Sequence, residues 1–254
     1  MSEPKPPVVG AAPPGANDRD SAALAVREMF NSIATRYDLL NHVLSLNIDR
    51  LWWRRTARSF RHILGRADAR VLDLCCGTGD MTFALRRAAG RSRPDIFGAD
   101  FSHAMLQHAT AKSELLDSAP GWIEADALNL PLPRNQFDLV TSAFGFRNLA
   151  DYDAGLGEIF RVLRPGGECG ILDFGEPEGV LGACYRIYFK QVLPRVGTLI
   201  SGVRGPYAYL PASVERFPAP EEMLTRMMNA GLAEAAWTPY SFGIAGLYRG
   251  KKLG

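Results

Sequence analysis

Apolar positions along the chain change period twice, and the two changes divide it into three stretches. From Asp20 apolar residues recur at helical spacing through Met29, Phe30 and Ile33, and a second amphipathic run, Arg50 to Leu64, turns Leu51, Trp52, Phe60, Ile63 and Leu64 inward. From Arg70 short apolar segments take over. Arg70–Leu74, Asp95–Ala99, Gly121–Ala125, Phe137–Ala143 and Gly167–Phe174 read as strands, with Met81–Ala89, His103–Asp117 and Asp151–Leu163 as helices between them. Such alternation predicts βαβ units and a mostly parallel sheet. Arg164-Pro-Gly-Gly167 is a stop-and-turn signal ahead of the fifth strand. Beyond it Val180–Val192 reads as an aromatic-rich helix, Pro194–Pro211 as a long irregular stretch and Glu221–Ala230 as a helix. Ala233–Tyr240 and Gly243–Arg249 then read as a strand pair that closes a seven-stranded sheet.

The expected organisation is a disordered Pro-rich tail over residues 1–19 and one domain over 20–254. That domain divides into a helical cap (20–66), a cofactor-binding core (67–175), a substrate- or tail-binding insertion (176–212), and a C-terminal helix with its strand pair (213–254). The tail carries Pro4, Pro6, Pro7, Pro13 and Pro14 among small residues, too little apolar surface to offset ordering entropy. A length of 254 residues suits one large α/β domain and would cramp two. Lys plus Arg is 29 against 27 for Asp plus Glu, so a net charge of +2 gives no reason to expect nucleic acid as a partner. The four cysteines, adjacent Cys75 and Cys76 with isolated Cys169 and Cys184, lack C-x-x-C spacing and read as reduced thiols. No basic-then-apolar leader and no apolar run of 18 residues occurs. The expectation is a cytoplasmic protein that can still touch a membrane surface.

The chemistry concentrates at Val71-Leu-Asp-Leu-Cys-Cys-Gly-Thr-Gly-Asp80. A strand carrying Asp73, then Gly77-Thr78-Gly79, then a helix is the layout of a nucleotide-type turn, where glycines let a ligand approach main-chain N–H groups. A dinucleotide fingerprint needs a third glycine where this chain has Thr82, and a P-loop needs Lys where it has Asp80. An acid at the loop edge disfavours pyrophosphate and suits a ligand that carries an ammonium and a sulfonium. Asp100, 21 residues beyond Gly79 at the end of the second strand, suits a ribose diol. Asp126 after the third strand suits an adenine amino group, and Phe101 is placed to pack on the purine. Singly, each Asp is as well explained by a solvated turn; three in order at successive strand ends point to S-adenosylmethionine. Cys75 and Cys76 read as small side chains packed under the turn.

Four segments carry a family resemblance: Tyr37-Asp-Leu-Leu-Asn-His-Val-Leu-Ser-Leu46 running on to Asp49-Arg-Leu-Trp52, then Val71–Asp80, then Phe144-Gly-Phe-Arg-Asn148, then Glu158-Ile-Phe-Arg-Val-Leu-Arg-Pro-Gly-Gly167. From about Ser21 to Lys251 the chain closely resembles the ubiquinone/menaquinone biosynthesis C-methyltransferases. The resemblance implies a class I S-adenosylmethionine-dependent methyltransferase fold, Rossmann-like, with N-terminal capping helices. It implies methyl transfer to a ring carbon of a reduced polyprenylated quinone, either the naphthoquinol or the benzoquinol precursor, with the naphthoquinol preferred. Cofactor contacts carry over to Thr78, Asp100, the Asp126-Ala127 pair and Ala143. At Ala143 the family often has Ser or Gly, so a hydroxyl contact is lost and a backbone contact remains.

A quinol carbon becomes nucleophilic when its ortho or para hydroxyl ionises. Arg147 is the candidate to stabilise phenolate charge, Asn148 to orient the ring oxygen, and Tyr37 to touch the ring or relay a proton. Arg147 stays protonated and is a poor base, so a water or a nearby carboxylate must take the proton. The plainer reading of Arg147 is a surface ion pair with Asp151. His103 and His108 read as solvated, His42 is a weak base candidate, and no metal-ligand spacing is present. Val180–Ile200 mixes apolar, aromatic and basic residues, which suits a prenyl-tail channel or interfacial surface as well as a packing helix. A homodimer remains open. The rival functions are a class I methyltransferase with another small acceptor, a nicotinamide-dependent oxidoreductase, and a silent cofactor-binding scaffold.

Overall fold

The computed structural model describes residues 18–33, 47–114, 116–175 and 206–254, with isolated positions 10, 11, 13, 16, 177 and 182. Tyr37, His42 and Cys184 lie outside the described residues, as does the Val180–Ile200 segment apart from Gly182. Seven strands form one sheet: β1 (Arg70–Leu74), β2 (Asp95–Asp100), β3 (Gly121–Glu124), β4 (Phe137–Ala143), β5 (Leu163–Phe174), β6 (Leu232–Tyr240) and β7 (Ala245–Lys252), in the order β3-β2-β1-β4-β5-β7-β6. The first five are mutually parallel, and β7 runs antiparallel to both β5 and β6. Strand order reverses between β1 and β4. In an open α/β sheet a crevice forms at that switch, outside the carboxyl ends of the strands.

The helices among the described residues are α1 (Arg19–Ile33), α2 (Ile48–Ser59), α3 (Arg61–Leu64), α4 (Asp80–Ala89), α5 (His103–Ser113), α6 (Tyr152–Val162), α7 (Pro206–Arg216) and α8 (Pro220–Asn229). Strand side chains alternate between two cores, as period-2 geometry requires. Val71, Leu139, Leu172 and Leu247 pack with Trp52, Trp53, Phe60 and Leu85 on one face. Leu72, Val140, Ile171 and Tyr248 pack with Tyr152, Leu156, Ile159, Met223 and Met227 on the other. Burial on both faces makes these strands read as near-continuous apolar runs.

Three expectations change. The stop-and-turn Arg164–Gly167 lies inside β5 rather than before it: Gly166 takes φ +80, and the β4–β5 register shifts between Phe137 and Leu139, so the turn is absorbed as an irregularity of the strand. Within the stretch read as irregular, residues from Pro206 form α7, which crosses the expected boundary at residue 212. Pro211 is interior, and burial of Ser213 and Val214 outweighs its local cost. Finally, two described positions within residues 1–19 pair with the main chain just ahead of α6. Gly10 N donates to Ala150 O at 3.0 Å and Ala11 N to Leu149 O at 2.7 Å, main-chain pairing that needs no large side chain.

Candidate active site

The glycine turn connects β1 to α4 through Cys75, Gly77 and Gly79, all at positive φ (52, 55 and 89). Beneath it Asp73 is fully buried: its Oδ2 accepts from Thr82 Oγ1 at 2.6 Å and its Oδ1 from Thr141 Oγ1 at 2.8 Å. Burial pushes its carboxyl up to about 7, against the two threonine hydroxyls that favour the ionised form. Asp73 therefore joins β1, α4 and β4 beneath the turn while also lining the cavity. Thr82, which breaks the third-glycine rule, has this clamp as its function. Above the turn, Lys112 Nζ donates to Thr78 O at 3.2 Å and Thr78 Oγ1 at 2.9 Å and pairs with Asp80 at 3.4 Å. Neither Thr141 nor Lys112 carries a motif signal; only the fold brings them here.

Asp100 closes the turn from β2. Its Oδ2 accepts from Gly77 N at 2.8 Å and its Oδ1 from Ser102 N at 2.9 Å. Burial pushes this carboxyl up to about 6, while the two N–H donors pull the other way. Each oxygen retains a lone pair for a further donor such as a ribose hydroxyl. Asp126 is exposed at the rim, with Oδ1 accepting from Leu128 N at 2.9 Å, and Ala127 beside it is buried.

One cavity of about 320 Å³ at the switch point brings these together. Asp73, Gly77, Thr78, Asp100, Phe101, Asp126, Ala127 and Ala143 all line it, as do Arg147 and Asn148. Gly79 is not on that wall: a Cβ there would meet Trp122 at 2.7 Å and Phe83 at 2.9 Å, so its role is to let the turn pack. Burial raises the thiols of Cys75 and Cys76 well above their ordinary value, which removes them as nucleophiles. Among the described residues no group of three His, Cys, Asp or Glu side chains is placed to hold a metal.

Opposite the turn the Phe144–Asn148 segment follows β4. Arg147 is buried and pairs with Asp173 at the end of β5, Nη1 to Oδ1 at 3.0 Å, with a second Nη1 bond to Phe144 O. Its backbone N–H donates to Asp173 Oδ2 at 3.1 Å. The surface pairing with Asp151 weighed from sequence does not form: Asp151 caps α6 through Ala154 N at 2.9 Å and pairs with Arg19 at 3.3 Å. Asp173 is the carboxylate that sequence reading missed, though its place at a strand end repeats the rule that found Asp100. Burial raises its carboxyl and Arg147 pulls it back down. Arg147 Nε, Asn148 Oδ1 and the Tyr209 hydroxyl of α7 are buried without hydrogen-bond partners among the described residues. Burial pushes the Tyr209 phenol up to about 12. The remaining wall is aromatic: Phe144 and Phe174 rings lie 4.6 Å apart, Trp52 is 5.8 Å from Phe144, and the Arg147 guanidinium lies 5.1 Å from the Phe174 ring. From above, α1 contributes Ala23 and Phe30. It is tied to the core by Arg27–Glu124 at 3.0 Å and by Ser102 Oγ to Asn31 Oδ1 at 2.6 Å.

The site thus has a polar half suited to a nucleoside with a charged tail and an aromatic half that holds a buried guanidinium. The sequence model of the ubiE/COQ5 methyltransferase family matches residues 17–252. The demethylmenaquinone methyltransferase of Deinococcus radiodurans is 47% identical, over 94% of this chain and 97% of that protein. The ubiquinone/menaquinone biosynthesis C-methyltransferase UbiE of Geobacter sulfurreducens is 41% identical, over 89% of this chain and 88% of that one. Among solved structures, a S-adenosylmethionine-dependent methyltransferase of Thermotoga maritima, described as a possible histamine N-methyltransferase, aligns with TM-score 0.57 at 18% identity. It covers 89% of this chain and 99% of that one, which shows the shared fold.

Proposed function

The chain belongs to the ubiE/COQ5 methyltransferase family, and from that premise we propose that it methylates a ring carbon of a polyprenylated quinol, with the demethylated naphthoquinol of menaquinone synthesis as preferred acceptor. The observation that carries this reading is the division of one cavity into a nucleoside-fitting half and an aromatic half with Arg147 at its base. Bound S-adenosylmethionine would supply an electrophilic methyl group and leave as the neutral thioether, with the displaced ring proton and that of the ionised hydroxyl passing to water. The chain supplies orientation and charge. Asp100 accepts ribose hydroxyls, Asp126 accepts from the adenine amino group, Phe101 packs on the purine, and Thr78, Ala127 and Ala143 complete the contact.

On the acceptor side, Phe144, Phe174 and Trp52 form a flat apolar wall against which a quinol ring can lie. Arg147 stabilises the ionised ring hydroxyl, because a fixed cation in a water-poor site lowers the energy of phenolate far more than solvent does. The unpaired Asn148 Oδ1 accepts from a ring hydroxyl and fixes which carbon is presented. Asp173 is a positioning residue that holds Arg147 through both oxygens. Tyr37 remains a proposed ring contact from the N-terminal cap. The naphthoquinol is preferred because the Deinococcus relative is named for that acceptor alone.

The test supplies purified protein with isotope-labelled S-adenosylmethionine and short-prenyl forms of both demethylated quinols. Label on a ring carbon is expected, faster with the naphthoquinol. A chain that labels neither quinol has another acceptor, and one that labels only the benzoquinol reverses the preference.

A further inference from the structure

We propose that the exposed face of α2, together with the Ser241–Gly243 turn, docks the protein on an anionic lipid bilayer with the Ile48–Ile244 side of the cavity toward the lipid. The choice of a bilayer as partner rests on the polyprenylated-acceptor reading, since such a tail partitions into membrane; the surface itself does not depend on it. Helix α2 buries Asp49, Trp52, Trp53, Thr56 and Ala57. Its exposed side carries Arg50, Leu51, Arg54, Arg55 and Arg58, continued by Arg61 on α3. Arg50, Arg54 and Arg58 recur every four residues and so stand in one row along the helix. The acid of this helix, Asp49, is buried. No ion pair joins Arg50, Arg54, Arg58 or Arg61 to a carboxylate among the described residues. The near-neutral charge of the whole chain hides this row.

Two apolar side chains accompany it. Leu51 is 59% exposed on the same helix. Phe242 is 85% exposed and held at φ 60, a conformation that costs a bulky residue energy and is here offset by no burial of its ring. Its turn is fastened to α2 by Trp52 Nε1 donating to Ser241 Oγ at 2.9 Å and by Arg55 over the Tyr240 ring at 4.3 Å. Ile48, Ser241 and Ile244 line the cavity, and Ile48 is also 40% exposed, so this surface borders the cavity. Guanidinium groups at headgroup level with a leucine and a phenylalanine reaching below them is the chemistry of interfacial binding. A polyanion such as RNA would engage the arginines and has less use for Phe242.

The experiment is co-sedimentation of the full chain with vesicles of phosphatidylglycerol and phosphatidylethanolamine, against pure phosphatidylcholine and against an RNA oligomer. Wild type is expected to pellet with the anionic vesicles, to be released by high salt, and to ignore phosphatidylcholine. Arg50→Glu/Arg54→Glu/Arg58→Glu should weaken vesicle binding at least about a hundredfold, taking about fivefold for each basic charge removed at the surface. Leu51→Ser/Phe242→Ser should weaken it about tenfold or more. Both variants should keep wild-type turnover of a short-tailed quinol and lose rate only with a long-tailed quinol in vesicles. Wild-type pelleting by either variant, or equal binding to phosphatidylcholine, overturns the proposal. So does RNA binding as tight as vesicle binding that survives Leu51→Ser/Phe242→Ser. A protein that docks as described and methylates no quinol refutes the acceptor reading alone.

Discussion

Arg147 and Asp173 form a buried ion pair, 7% and 0% exposed, and the pair makes two separable demands on the residues. A buried guanidinium that meets a developing phenolate is worth about a hundredfold to a thousandfold in turnover by analogy with single oxyanion donors. Arg147→Ala is therefore expected to lower kcat by that factor while S-adenosylhomocysteine affinity stays within a few-fold, read by calorimetric titration beside steady-state rates. Near-normal turnover would remove Arg147 from the chemistry. Removing the partner is a stability experiment. Asp173→Ala leaves a buried cation unpaired, at a cost of about 3–5 kcal/mol, and should lower the melting temperature by roughly ten degrees. Asp100 makes a different demand. Its carboxyl is pushed up to about 6 by burial, and the ionised form is the better acceptor of two hydroxyls. Cofactor affinity is expected to hold above about pH 7 and to fall toward tenfold per unit well below 6. Affinity flat between pH 5 and 7.5 would mean that Asp100 does not serve the ribose.

At the scale of elements, the cofactor turn and the acceptor segment are two loops that touch. Gly145 makes the contact: a Cβ there would lie 2.4 Å from Cys75 Cβ and 3.0 Å from Cys75 O. Flanking it, Phe144 takes φ 57 and Cys75 φ 52, so both loops are bent toward the seam. Gly145→Ala is expected to force them apart, costing about 1–3 kcal/mol and weakening S-adenosylhomocysteine at least several-fold by isothermal titration, although residue 145 carries no polar side chain. An unchanged affinity would show that the loops move independently. The seam also explains what was readable in the segment Phe144–Asn148. Its glycine and its Arg-Asn pair stand out in the sequence, whereas the reason for the glycine, a neighbour 70 positions earlier, exists only after β1 and β4 pair. Helix α7 was missed for a related reason. Pro206 and Pro211 signal a break locally, and packing of the helix against the Phe146–Asn148 turn overrides the signal.

Among the described residues, burial raises two carboxyls beside the cofactor turn, Asp73 to about 7 and Asp100 to about 6. In the unfolded chain they ionise near 3.9. Between about pH 4 and 7 the folded state holds more protons than the unfolded one, so unfolding free energy falls as pH rises through that window. Thermal melts of the ligand-free protein are expected to shift downward from pH 5 to pH 7.5. Asp73→Asn, which keeps an acceptor for the threonines and cannot ionise, should flatten the slope. A melting temperature that rises over this range, or a slope untouched by Asp73→Asn, would show that these carboxyls do not control stability. The molecule thus gives up some stability at neutral pH to keep acids beneath and beside its cofactor turn.

The amino-acid sequence by itself determined the period of each segment, and so the alternation of β1 to β5 with helices, the antiparallel pair at the end, and the glycine turn at the end of β1. Those features are local. Apolar periodicity reflects which face of an element is buried, and a turn rich in glycine declares its own backbone. It also placed Asp100, Asp126, Arg147 and Asn148 at strand ends, because in a parallel sheet all such ends point one way. Tertiary structure alone decided how these residues are used. It turned Asp73 beneath the turn onto Thr82 and Thr141, gave Arg147 to Asp173 in place of Asp151, and laid Lys112 against Thr78. Apart from Asp73–Thr82, which spans the turn itself, these pairings join side chains 26 to 68 positions apart, and a hydrogen bond or ion pair depends on distance in space, which no single segment encodes.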